Sequence, residues 1–199
     1  MAQLNLPIIG LVGYPTHGKS TAQRFLEILG VEARDDGDIL RTKVAEEFGL
    51  TWEDVTTQEG KLKVVTGLDG EPTTIRKLLG EYGKVLEARH GENIIAELAI
   101  EKLVAERQRD NSQQPASFGS VRKSQPAAYK AVGGFIMEIL DPRKPVGPLH
   151  DFDEFDRDSV DVIVINDGTE SDLAWRVYLA IEEYLNPSLD RVLTLARYF

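Results

Sequence analysis

An apolar run from Ile8 to Val12 ends in Gly13-x-x-x-x-Gly18-Lys19-Ser20, and a helix-like stretch follows at once. This is the spacing of a phosphate-binding loop in its proper context, with a strand before it and a helix after it. Each part answers a need of a triphosphate. The glycines let backbone N–H groups curl around the phosphates. The helix that starts here points its positive end at them. Lys19 reaches the outer phosphates, and Ser20 is placed to ligate Mg²⁺. The expected triphosphate-binding set is therefore Gly13, Thr16, His17, Gly18, Lys19, Ser20 and Thr21.

The remaining periodicity extends the strand–loop–helix unit into a repeating pattern. A helix is predicted from Ser20 to Leu29, a short strand at 31–34, and a turn at 35–38 in which Asp38 caps a helix ending at Gly49. Residues 51–73 read as a polar surface excursion anchored by Trp52, Val64, Val65 and Leu68. An amphipathic helix starts at Thr73 or Thr74 and is interrupted by Gly91, and a second helix runs from about Asn93 to Arg107. Strands are expected at 116–121, 135–140 and 161–165, with helices at 124–132 and 171–184 and a last short helix after Pro187. Strands alternating with helices mean a parallel sheet covered on both faces. The expected fold class is α/β, a P-loop NTPase fold in one domain over 1–199. It carries an acceptor-side helical excursion at 50–110 and a small lid segment at 141–158.

Composition removes several classes of function. A net charge of −10 disfavours a broad grip on nucleic acid, which needs a basic face. With no cysteine there are no disulfides and no Cys-based metal clusters. His17, His90 and His150 lie far apart and lack metal-ligand spacing. The N-terminus does not read as a signal peptide, and no stretch reaches the length of a membrane span, so a cytoplasmic protein with no membrane partner is expected.

In open parallel sheets, ligands bind at the carboxyl ends of the strands. The acidic turn 35–38 follows the second strand, and a carboxylate there can orient an acceptor, take its proton or position Mg²⁺. Asp38 is the first choice and Asp36 the second. Arg41, Arg76, Arg89 and Arg122 are candidates for gripping an anionic acceptor or the transferred phosphoryl, because guanidinium forks suit phosphate oxygens. Arg143 and Lys144 form a basic pair at the base of the 141–158 lid. The acidic run Asp151, Asp153, Glu154, Asp156 and Asp158 reads as a solvated face.

Several segments in order resemble the phage-type deoxynucleoside monophosphate kinases, P-loop kinases related to the wider nucleoside monophosphate and dephospho-CoA kinase group. The phosphate loop carries the resemblance first. Asp38-Ile39-Leu40-Arg41 resembles the family's Asp-x-Leu-[Arg/Lys] helix start, and Thr74 to Leu79 with Arg89 and Gly91-Glu92-Asn93 resembles its acceptor-side helix. Ser120-Val121-Arg122 followed by Gly133-Gly134 resembles its third unit. Asn166, Asp167 and Gly168 resemble the late turn that lies near adenine in such kinases. The departures are Ser120 in place of the usual Asp, Lys123 to Pro126 where an acidic residue is more usual, and the loop tip Tyr14 to His17. The donor side is kept and the acceptor side altered.

The resemblance implies an ATP- and Mg²⁺-dependent kinase. Lys19, Asp38, Asp36 and Arg122 would be catalytic, and Arg41, Arg76, Arg89, Arg122 and Arg143 would bind substrate. The expected acceptor is a deoxynucleoside monophosphate. The alternative is the hydroxymethyl group of 5-hydroxymethyluracil in DNA, which must be taken out of the stack and needs a carboxylate as a true base. A nucleotide-binding regulatory ATPase is the third reading. A homodimer stays open.

Overall fold

Ile8–Val12 forms strand β1, and all five residues are buried, as an unalternated apolar run requires of a strand covered on both faces. The structure, a computed structural model, describes residues 7–147 and 154–185. His150, Asp151, Asp153, part of the expected lid and the expected helix after Pro187 lie outside the described residues. The chain divides into two compact units, one within Met1–Asp35 and Ile100–Phe199, the other Asp36–Ala99.

The first unit is built on a five-stranded sheet. Its strands are β1, β2 (Glu32–Arg34), β5 (Ala116–Phe118), β6 (Phe135–Leu140) and β7 (Val162–Ile165), in the order β2-β5-β1-β6-β7. Every pairing is parallel. The α/β class expected from the alternating pattern is thus the observed one. β1 leads toward the β2 side and β6 toward the β7 side, so the winding reverses between two neighbouring strands. In such sheets the crevice for a ligand opens beyond the carboxyl ends of those strands. Here the phosphate loop follows one of them and Asp141 the other.

Strand alternation sorts the two faces. Ile9, Leu11, Met137, Ile139 and Val164 point to one core. There they pack on Ala22, Phe25 and Leu26 of α1 (Lys19–Ile28) and on Leu173, Ala174 and Val177 of α7 (Glu170–Leu185). On the opposite face Gly10 lies against Ile136, Val121 and Tyr129, the last from α6 (Gln125–Ala131). A Cβ on Gly10 would come within 2.8 Å of the Ile136 side chain, so this position admits only glycine without repacking.

The second unit has its own core. Val44 of α2 (Gly37–Phe48), Val55 of α3 (Trp52–Thr56) and Ile75, Leu78 and Leu79 of α4 (Ile75–His90) pack together. Thr51 and Asp54 close α3 with a capping box. An antiparallel hairpin, β3 (Val64–Thr66) and β4 (Pro72–Thr74), precedes α4. Residues 51–73 are therefore structured. Of their expected anchors only Val65 packs on this core, while Trp52, Val64 and Leu68 are exposed. The unit starts at Asp36, ahead of position 50, because α2 shares this core. The helix α5 (Ile94–Asp110) runs through the boundary between the two units.

Candidate active site

The loop's glycines are required by geometry. Gly13 has φ 137°, and a Cβ there would lie 2.5 Å from the Ile139 carbonyl oxygen. Gly18 has φ 108°, and its Cβ would lie 2.5 Å from Asn166 Nδ2. Both conformations belong to glycine. Lys19 starts α1 and bends its ammonium back onto the loop, donating to the carbonyl oxygens of Gly13 at 2.6 Å and Tyr14 at 3.0 Å. The lysine is thus held across the loop. Thr16 adopts a positive φ of 67°, is exposed at the tip, and accepts from Lys144 Nζ through its carbonyl.

Ser20 is exposed in the first turn of α1, with Thr21 half-buried beside it. Among the described residues no group of three or more His, Cys, Asp or Glu is arranged to hold a metal ion. Mg²⁺ takes one or two protein oxygens and completes its shell with phosphate oxygens and water. An exposed Ser20 hydroxyl beside the cradle is such an oxygen.

The His17 ring is buried. Nδ1 accepts from the Asp141 N–H at 3.2 Å and Nε2 faces the Pro145 carbonyl at 3.1 Å. Those partners fix the Nε2–H tautomer. His17 thus ties the loop to the segment after β6. Asp141 is buried as well, and Arg143 grips its carboxylate with both arms, Nε to Oδ1 at 2.8 Å and Nη2 to Oδ2 at 3.0 Å. That bidentate pairing holds the Asp141 carboxyl well below the usual carboxylate range. Arg143 also donates to the carbonyls of Asn166 at 2.9 Å and Asp167 at 3.2 Å. Arg143 thereby clamps the end of β6 to the turn after β7.

The late turn backs the loop. Asn166 Nδ2 donates to the His17 carbonyl at 3.0 Å. Asp167 pairs with Arg176 at 2.6 Å, which lowers its pKa. Gly168 leaves room for Asp172, which caps α7 by accepting from the Thr169 N–H. Beyond β5, Arg122 is exposed, and its backbone N–H donates to Gln125 Oε1 at 2.9 Å. Gln23 of α1 donates to the Arg34 carbonyl at 2.9 Å and the Ser117 carbonyl at 3.2 Å. It thereby fastens the ends of β2 and β5 to the helix of the phosphate loop.

In the second unit, Asp36 and not Asp38 occupies the N-cap position of α2, and it is buried although its side chain does not cap the helix. Asp38 lies in the first turn and pairs with Arg41 at 2.5 Å. Arg76 and Arg89 stand at opposite ends of α4, both exposed, and Arg76 donates to Gln58. Thirteen residues of helix separate them by about 20 Å, so one phosphate group cannot be held by both.

Two residues of the first unit escape motif reading, Gln23 and Glu138. Glu138 had a signal, as the single charge inside a six-residue strand.

A dephospho-CoA kinase is similar in structure. The enzyme from Campylobacter jejuni matches with a TM-score of 0.44 and 15% sequence identity, covering 88% of this chain and 96% of that one. No protein-family model matches the chain, and no curated protein does. Among the described residues no helix is long and apolar enough to cross a membrane.

Proposed function

We propose that the protein is an ATP- and Mg²⁺-dependent phosphotransferase that moves the γ-phosphoryl group to a nucleotide-type acceptor, a deoxynucleoside monophosphate. The observation that carries this reading is the lysine-spanned glycine loop at the reversal point of a parallel sheet. An acceptor phosphate oxygen attacks the γ-phosphorus, the bond to the β,γ-bridging oxygen breaks, and ADP leaves with that electron pair. Gly13, Gly18 and the first amides of α1 bind the triphosphate, and Lys19 neutralises charge on its outer oxygens. Mg²⁺ held at Ser20 would screen the phosphates. Arg122 is assigned to the transferred group. Asp36, Asp38, Arg41, Arg76 and Arg89 are assigned to the acceptor, with Asp38 first and Asp36 second as the orienting carboxylate.

Ser120 and Lys123, where an acidic pattern is more usual, favour a second acceptor, a hydroxymethylated pyrimidine in DNA. One experiment separates the readings. Purified protein is given γ-labelled ATP and Mg²⁺ with each deoxynucleoside monophosphate, and separately with DNA containing 5-hydroxymethyluracil. Label in a deoxynucleoside diphosphate supports the first reading and label in DNA the second. Hydrolysis without transfer to either points to a regulatory ATPase and overturns both.

A further inference from the structure

Glu138 lies in the middle of β6 with no exposure. By strand alternation it shares a face with Ile136, opposite the α1 and α7 core. A carboxylate in such a place is costly unless it is paired. Its Oε1 accepts from Arg157 Nη2 at 2.8 Å, and its Oε2 is buried without a hydrogen-bond partner among the described residues. No role assigned above uses this pair.

Arg157 comes from a strap, 154–159, that enters β7. Its guanidinium carbon lies 5.7 Å from the ring centre of Tyr14 and 5.8 Å from that of Phe155. The two rings are 5.5 Å apart, and Tyr14 also meets the buried His17 ring edge-on at 5.6 Å. Tyr14 is the loop residue whose carbonyl receives the Lys19 ammonium. The strap has a second attachment. The Lys123 N–H donates to the Glu154 carbonyl at 2.5 Å, and the Asp156 N–H donates to the Lys123 carbonyl at 3.0 Å. Lys123 follows Arg122 and holds a positive φ of 48°, a conformation that a non-glycine residue keeps only when its surroundings enforce it.

We propose that Glu138 and Arg157 are positioning residues for phosphoryl transfer. The buried carboxylate anchors Arg157, Arg157 grips the Tyr14 tip of the phosphate loop, and the same strap fixes the Lys123 turn that carries Arg122. The pair is a latch joining the donor loop to the arginine of the β5 loop. The proposal rests on the phosphotransferase reading. Triphosphate binding depends on it less than transfer does, because Asn166 and Asp141 hold the cradle from the β6 and β7 ends.

The test compares wild type, Arg157→Ala, Arg157→Lys and Glu138→Gln. Arg157 is half exposed, but its removal leaves the buried Glu138 carboxylate unpaired, so the double variant Arg157→Ala with Glu138→Gln, which removes that charge as well, is measured beside it and each variant is first shown to be folded by circular dichroism. In Arg157→Ala, kcat is expected to fall about 10- to 100-fold, as misplacement of reacting groups does, with KM for ATP within about threefold. Free guanidinium at non-denaturing concentration restores at least part of the loss by filling the gap between Tyr14, Phe155 and Glu138. Arg157→Lys does not restore it, because an ammonium pairs with Glu138 but cannot lay a plane on the rings. Glu138→Gln moves kcat in the same direction.

Amide exchange reads the latch without any activity. The Lys123 and Asp156 N–H groups are expected to exchange at least about tenfold faster in Arg157→Ala, with β6 unchanged. Wild type that transfers no phosphoryl overturns the phosphotransferase reading and leaves the latch to be judged by exchange. Active wild type with unchanged kcat in Arg157→Ala overturns the positioning role. Lowered kcat with unchanged exchange also overturns it and makes Arg157 a direct contact.

Discussion

Asn166 Nδ2 donates to the carbonyl oxygen of His17 across 3.0 Å, tying the turn after β7 to the phosphate loop 149 residues earlier. Gly18, the next residue, has no space for a Cβ against the same amide. Removing the amide in Asn166→Ala leaves the fold but loosens the cradle. Loss of one such hydrogen bond costs about 0.5–1.5 kcal/mol, so triphosphate affinity measured by calorimetric titration is expected to weaken about 2- to 10-fold, with Tm nearly unchanged.

Gly18→Ala goes further. The new Cβ meets Asn166 and the backbone must leave its positive φ. Triphosphate binding is expected to fall below detection in the same titration while circular dichroism stays that of the wild type. Binding within tenfold of wild type contradicts the assigned cradle.

His17→Ala separates anchoring from ligand contact. It strips the buried Asp141 N–H of its acceptor, and an unsatisfied buried donor costs about 1–3 kcal/mol. Thermal unfolding is expected at lower temperature, and saturating triphosphate recovers part of the shift by mass action. A ring that touched the phosphates would instead lose affinity at unchanged Tm.

Acid sensitivity of the second unit follows from Asp54. A hydrogen bond from Lys63 at 2.5 Å and two from Thr51 lower its pKa from the usual carboxylate range to about 2. A carboxylate depressed on folding contributes stability that is complete above its unfolded value and is lost as pH falls toward the folded one. Unfolding midpoints followed between pH 5 and pH 2 are expected to fall in wild type and to fall less steeply in Asp54→Asn. Parallel curves contradict the pairing.

The sheet was legible because buried parallel strands write themselves as apolar runs; 8–12 is unbroken, and 135–140 is broken only by Glu138. The turn at Gly13 and Gly18 was legible because glycine marks positive φ and close approach, and both positions have them. The partners of the His17 ring were not legible, because a motif specifies backbone positions and is silent about which way a ring turns. Asp38 was chosen over Asp36 as the cap because either residue type suits the site, and one residue of register decides between them. The hairpin at 64–74 escaped because its strands are three residues long, and most of the apolar side chains in the segment stay exposed. Glu138 was visible as a charge in an apolar strand, but its partner lies 19 residues away in a segment that reads as solvated.

The central claim is that the loop at Gly13–Ser20 presents a triphosphate for transfer through Lys19. The most direct measurement is single-turnover transfer from γ-labelled ATP with Mg²⁺ to the acceptor panel, in wild type and Lys19→Ala. The account predicts label in an acceptor with wild type and a loss of at least about a hundredfold in the variant. Equal transfer by both proteins, or none by wild type to any acceptor, would contradict it.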